Sequence, residues 1–180
     1  MRILTPPDLP IAGLALRQLE ERDLPVWYDY LRLPAVIEHT SWNLHSAEDL
    51  IPLWQAYVSE GVTTPRRLAL VDGTDTLVGT IGFHTVNDMN RSAELAYDLA
   101  PAYWGHGLAA QVGRAVVPWA FEQFGWLRIQ ATAMESNLRS ARVLEKAGFQ
   151  FEGLLRSYRV VRGQPRHFRL FARLASDVAP

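Results

Sequence analysis

The spacing of apolar positions changes period several times along this chain, and each change marks an element. Leu14 and Leu16 alternate with polar neighbours and predict a first strand that ends before the charged run Glu20, Glu21, Arg22 and Asp23. Asp23 then reads as a helix N-cap, with Pro25 in the first turn, Val26, Trp27, Tyr30 and Leu31 as the apolar face, and Pro34 as the stop. A second helix starts at Ser46, carries Glu48 and Asp49 in its first turn, and spaces Leu50, Leu53, Trp54, Tyr57 and Val58 at the helical period. The stretch VIEHTSWNLH between them has no clear period and reads as a loop or short helical turn, suited to a substrate wall.

From Arg66 the period becomes two. RRLALVD, TLVGTIGFHTVN and SAELAYDLA are separated only by short Gly, Asp and Asn turns, which predicts an antiparallel meander. A loop built on Pro101, Gly105 and Gly107 then opens a long amphipathic helix, with Leu108, Val112, Ala115, Val116 and Trp119 as its sheet-facing stripe and Pro118 as a kink. LRIQATAME is a further strand, NLRSARVLEKAG a short helix closed by Gly148, and FQFEGLLRSYRVV with RHFRLFARL a last strand pair around Gly163. The order predicts an α/β (α+β) fold, a mixed and mostly antiparallel central sheet of about seven strands with helices on its faces. Residues 1–13 form a Pro-rich lead-in, 14–174 a single domain and 175–180 a tail.

Composition narrows the function classes. With 18 basic against 19 acidic residues the formal net charge is −1, so no broad footprint on nucleic acid or an anionic membrane is expected. All the basic residues but Lys146 are arginine, a bias that suits anion contacts but also follows from a GC-rich genome. The absence of cysteine excludes disulfides, thiolate ligands and a catalytic thiol. No apolar run reaches membrane-span length and the first residues lack a signal-peptide core, so a cytoplasmic location is expected. His39, His45, His84, His106 and His167 have no metal-ligand spacing, and no metal is implied.

The loop from Ala102 to Ala109 carries the chemistry. A strand, a glycine loop and a helix start together make a phosphate cradle, because the first N–H groups of a helix have no partner within it. GHGLAA matches the GxGxx(G/A) dinucleotide pattern, but the preceding strand closes an antiparallel meander and no acid stands at the end of a following strand about twenty residues on, so the dinucleotide reading is rejected.

AYWGHG, with Gly105 and Gly107, together with Asn137, Ser140, Leu144, Gly148 and Phe149, resembles the GNAT superfamily of acyl-CoA N-acyltransferases and its coenzyme motif (Q/R)xxGx(G/A). AELAYDLAPAYWGHGLA and NLRSARVLEKAGFQFEGLLR further resemble the Rim-type branch that acetylates N-terminal alanine or serine of ribosomal proteins. Ala102 departs from the family's Gln or Arg, Ala96 from its Gly, His106 from its Lys, and the last segment is unusually rich in Arg and His.

The resemblance implies a GNAT fold in which the strand before the loop and the strand after the helix splay apart around the coenzyme arm. It implies acetyl-CoA as co-substrate, held by Leu99, Ala102, Trp104, Gly105, His106, Gly107, Leu108, Ala109, Asn137 and Ser140. A backbone N–H near Leu99 would meet the oxyanion and Ser140 would donate to the leaving thiolate. Glu94 stands where some members carry a catalytic glutamate; it is either the base or a strand residue paired with an arginine. Glu135 is its understudy. Asn137 could cap the helix that holds Ser140. Trp42, His84 and Tyr97 are candidates for the acceptor wall, and the arginines from Arg156 to Arg169 read as a solvated hairpin face.

The expected reaction is direct transfer in a ternary complex to a primary amine, a protein N-terminus first. The alternatives are a small amine, amino acid or antibiotic, a succinyl donor, or a non-catalytic coenzyme-binding module. No nucleic acid or membrane partner is expected, and edge strands in the last hairpin would suit a homodimer.

Overall fold

In the computed structural model, which describes residues 2–177, the meander forms as the alternation predicts. Strands β1 (Leu14–Gln18), β2 (Arg66–Asp72), β3 (Leu77–Asn87) and β4 (Ser92–Leu99) pair antiparallel in sequence order. Then come β5 (Arg128–Met134), β6 (Gln150–Val161) and β7 (Gln164–Leu174), completing a seven-stranded sheet in the order β1-β2-β3-β4-β5-β7-β6. Only β4 and β5 run parallel.

Period two explains why β2 is buried on both sides. Leu68 and Leu70 enter one core with Val112, Val116 and Val117 of helix α4 (Leu108–Phe124) and Leu144 of α5 (Leu138–Lys146). Ala69 and Val71 enter the other, against Trp27 and Leu31 of α1 (Leu24–Leu31), Val36 of α2 (Pro34–Ile37) and Tyr57 of α3 (Ile51–Val58). The helices therefore cover both faces of the sheet.

Several local expectations are refined. Asp23 does not cap α1 with its side chain: its carboxylate accepts from the Glu20 N–H at 2.9 Å and pairs with Arg17 at 2.7 Å. Pro34 ends α1 but also occupies the first turn of α2, where its missing N–H costs nothing. Ser46 begins a 3-10 turn with a capping box to Asp49 before α3 starts. The buried face of α4 is Ala110, Val112, Gly113, Val116, Val117 and Ala120. Of the expected stripe Val112 and Val116 are buried and Trp119 is half-buried against the same core, while Leu108 and Ala115 are not among the buried residues, and the helix stays continuous through Pro118. Gly113 lies on this face because a Cβ there would stand 3.2 Å from the Ala147 Cβ at the end of α5.

The feature that positions the site is the parting of β4 from β5. Their pairing stops after Glu94 opposite Gln130, while β4 runs on to Leu99 and β5 to Met134. No helix among the described residues is long and apolar enough to cross a membrane.

Candidate active site

The gap between the two diverging strands opens into a cleft of about 560 Å³. Its upper wall is the backbone edge of β4. Ala100 donates its N–H to Val78 on β3, so by antiparallel alternation Ala96, Asp98 and Ala100 face β3, while Tyr97 and Leu99 turn their backbone groups toward the gap. The Leu99 carbonyl is taken by the Trp104 indole N–H at 2.8 Å; by the same alternation its own N–H faces the cleft edge.

The loop after β4 leads into α4 through two left-handed glycines, Gly105 at φ +84° and Gly107 at φ +71°. A Cβ on Gly105 would meet nothing within 4 Å, so the glycine leaves open space in front of the loop. Gly107 sits at the N-cap and offers no side-chain cap, and the first N–H bonded back within the helix is that of Gln111, to Gly107. The N–H groups of Leu108, Ala109 and Ala110 are therefore left for an anion. Among the cradle candidates, Leu99, Trp104, Gly105, Gly107, Leu108, Ala109, Asn137 and Ser140 line the cleft; Ala102 and His106 are exposed outside it. The residues fit a pyrophosphate-bearing coenzyme whose arm lies along β4.

Arg139 was not foreseen. Its guanidinium lies 4.7 Å from the centre of the Trp104 ring and lines the cleft, so α5 places a cation beside the loop in which Ala102 carries none. The same helix starts at Asn137, whose side-chain oxygen caps the Ser140 N–H at 3.0 Å. That cap sets Ser140 so that its hydroxyl lies 2.8 Å from the Tyr97 phenol on β4. Burial pushes the Tyr97 pKa well up against a smaller opposing effect of Ser140, so the phenol keeps its proton.

At the far end Glu94 is 3% exposed and lines the cleft. It is paired with an arginine, but inward: its Oε1 accepts from Thr132 Oγ1 at 2.7 Å and from Arg159 at 2.9 Å, with His84 Nε2 at 3.9 Å. Among the described residues every such contact ends on Oε1, and Oε2 has none. Burial lowers the His84 pKa, with repulsion from Arg67 and Arg159 acting the same way and Glu94 opposing, so the imidazole is neutral at neutral pH. Its Nδ1 is 2.7 Å from the Thr85 hydroxyl. Trp42, with Thr40 and Ser41, forms the facing wall, and Tyr97 stands between the two ends. Glu135 is not part of the lining, and Trp54 and Tyr57 belong to the α1–α3 core.

Two lining residues carry weight that no local pattern announced. Asp98 accepts from the Trp27 indole at 3.1 Å, from Tyr30, from Arg67 at 2.5 Å and from Thr80 at 2.7 Å, tying α1 to three strands. Arg159 leaves the solvated arginine series altogether. Its guanidinium passes 5.2 Å from the Phe168 ring on β7 and reaches Thr132 on β5 and Glu94 on β4. A bulge makes this reach possible: Leu155 and Arg159 pair with Phe168 and Arg166, so three residues of β6 stand opposite His167 alone. The His167 ring pins that bulge by accepting from the Ser157 N–H at 2.8 Å.

Comparison with known proteins bears on this arrangement. The model of the acetyltransferase (GNAT) domain matches residues 14–150. The N-acetyltransferase p20 of Bacillus licheniformis is 30% identical over 170 residues, covering 92% of this chain and 95% of its own. YdaF of Bacillus subtilis, named a putative ribosomal N-acetyltransferase, is 28% identical over 163 residues, covering 91% of this chain and 84% of its own. Among solved structures, spermidine N-acetyltransferase from Vibrio cholerae in complex with CoA and spermine superposes with a TM-score of 0.81 at 22% identity, covering 92% of this chain and 98% of that one.

Proposed function

The chain belongs to the GNAT acetyltransferase family, and from that premise we propose that its acceptor is the α-amino group of a polypeptide N-terminus rather than a polyamine. It is an N-acetyltransferase whose co-substrate is acetyl-CoA. The observation that carries the choice of acceptor is charge pairing in the cleft. Only two carboxylates line it among the described residues, Glu94 and Asp98, and each already has an arginine, Arg159 and Arg67. A polyamine brings several ammonium groups and needs unpaired carboxylates to receive them; one amine needs one oxygen, and Glu94 Oε2 supplies it. The likeness to YdaF supports the N-terminal reading; the spermidine N(1)-acetyltransferase of Escherichia coli, 23% identical over 155 residues, supports the polyamine alternative, and it is the charge pairing in the cleft that argues against that alternative.

The coenzyme supplies an acetyl group activated as a thioester; the remaining work falls to side chains and backbone of this protein. Leu108, Ala109 and Ala110 N–H groups with Arg139 hold the pyrophosphate, and Trp104 keeps the β4 edge in place. Glu94 takes the proton released as the amine nitrogen bonds to the acyl carbon, through Oε2 or an intervening water. The Leu99 N–H faces the negative charge that develops on the acyl oxygen. As the carbon–sulfur bond breaks, Ser140 donates a hydrogen bond to the sulfur and the Tyr97 phenol, which stays protonated, donates in turn to the Ser140 oxygen; Glu94 releases its proton to solvent, and solvent returns one to the thiolate. No covalent acyl-enzyme is needed, consistent with a chain that has no cysteine.

Thiol release from acetyl-CoA, followed with short peptides bearing alanine or serine at a free N-terminus and with spermidine in parallel, tests the reading. Turnover confined to spermidine contradicts it.

A further inference from the structure

Arg159 and Glu94 stand side by side with complementary groups still unused. On Glu94, Oε2 has no protein partner among the described residues. On Arg159, only one terminal nitrogen is engaged, with Glu94 at 2.9 Å and Thr132 at 3.3 Å; Nε and the other terminal nitrogen donate to no protein atom among the described residues. The side chain is 32% exposed and lines the cleft, so these donors are open to a bound molecule. The guanidinium is nonetheless held in place, 5.1 Å from the Tyr158 ring and 5.2 Å from the Phe168 ring. One residue therefore offers an acceptor for an amine, and its neighbour offers fixed donors for an oxygen.

We propose that Arg159 is a specificity-determining residue that reads the first carbonyl oxygen of the acceptor while Glu94 takes its amine, so that the protein selects α-amino acyl compounds. In such a compound nitrogen, Cα, carbonyl carbon and oxygen are consecutive, which puts the two polar atoms roughly 3 Å apart. That separation matches a carboxylate and a guanidinium already in hydrogen-bond contact. A plain amine or a polyamine has no oxygen at that place and leaves the guanidinium donors unmet, a penalty that discriminates strongly in a partly buried site. A lysine at this position would offer a point charge without the planar fork. The hairpin tip is itself tied to the facing wall, where Arg162 donates to the Thr40 carbonyl at 3.1 Å, so the reading group does not drift from the mouth.

This inference rests on the acceptor reading given above, and the two separate experimentally. The probe is an alanyl tripeptide amide, compared with the same tripeptide whose first amide is replaced by a trans alkene, which keeps the amine and the shape but removes the carbonyl oxygen. In the unmodified enzyme the amide is expected to exceed the alkene in kcat/KM by about tenfold or more, most of it in KM. In Arg159→Gln that ratio falls toward one, and in Arg159→Lys it takes an intermediate value. Loss of the counter-ion of Glu94 affects both peptides alike, so the ratio isolates the carbonyl. A ratio near one in the unmodified enzyme, which needs no variant, or a ratio that Arg159→Gln leaves unchanged, overturns the role of Arg159. Free alanine and spermidine complete the panel. Efficient use of alanine with none of the tripeptide overturns the polypeptide acceptor and leaves Arg159 standing; preference for spermidine over every acyl acceptor overturns both.

Discussion

The Tyr97 phenol and the Ser140 hydroxyl meet at 2.8 Å, one on the strand that edges the cleft and the other on the helix that closes it. The contact joins two hydroxyls in series where the proposed mechanism places the leaving thiolate. Removing either should therefore cost turnover without much loss of coenzyme affinity. Ser140→Ala and Tyr97→Phe are each expected to lower kcat by about tenfold to a hundredfold, and the double variant by little more than the worse single one, because the pair acts as a unit. Steady-state kinetics with coenzyme titration decides; additive losses would mean the two act separately.

Glu94→Gln preserves size and keeps an acceptor for Thr132 and Arg159 while removing the proposed base. An amine bound as its ammonium ion then has no carboxylate to deprotonate it, and kcat/KM should fall by about a hundredfold or more at neutral pH. Raising the pH should restore part of the rate, since more of the amine arrives neutral. A pH profile identical to that of the unmodified enzyme would remove Glu94 from proton transfer.

The strand meander, the glycine loop and the Asn137 cap were legible because each is written in neighbours: alternation, positive-φ glycines, an Asn three residues before the N–H that it caps. Arg159 was not. It sits in a run of arginines at even-looking spacing, and the bulge opposite His167, which lets its side chain reach Glu94, depends on a contact between residues ten apart in sequence. Asp98 was hidden for a related reason. In sequence it is the polar member of an alternating strand; its donors Trp27 and Tyr30 come from α1, 71 and 68 residues earlier. Arg139 likewise becomes a coenzyme candidate only when α5 is folded against the Trp104 loop. Alternation says which face a residue takes, and not what other element arrives there.

Asp98 gives a stability prediction. Asp98→Ala would leave buried Arg67 without its carboxylate and strand the donors of Trp27, Tyr30 and Thr80. The expected loss is about 3–5 kcal/mol, with Asp98→Asn losing less. Urea denaturation measures it; a loss under about 1 kcal/mol would mean that the network is not what fastens α1 to the sheet.

The cradle predicts two different binding defects. Gly107→Val forces a β-branched side chain onto a left-handed backbone at the N-cap of α4, straining the turn that presents the first helix N–H groups, so calorimetry should find coenzyme binding abolished. Arg139→Ala removes one cation from a site whose backbone donors remain, and should weaken binding by about fivefold to fiftyfold. Retained affinity in Gly107→Val would contradict the pyrophosphate assignment.

His84 supplies a pH dependence. Its pKa in the folded protein is depressed, chiefly by burial, so the folded state takes up the proton less readily than the unfolded chain. The resulting stabilisation is fully present above the ordinary histidine pKa of about 6.5 and is lost as pH falls through the lower folded value. The stability of the unmodified protein relative to His84→Gln should therefore decrease on acidification from about pH 7 to about pH 5. A difference that stays flat or grows would show that the imidazole is not held neutral.

The most direct measurement is a competition in one tube, with acetyl-CoA limiting and equal concentrations of an alanyl or seryl N-terminal peptide and spermidine, the products resolved by mass spectrometry. Acetylation of the peptide, at its α-amine, in excess over acetylated spermidine is the predicted result. Acetyl spermidine as the main product would contradict the account, because it would require a polycation to bind where both carboxylates lining the cleft are already matched by an arginine.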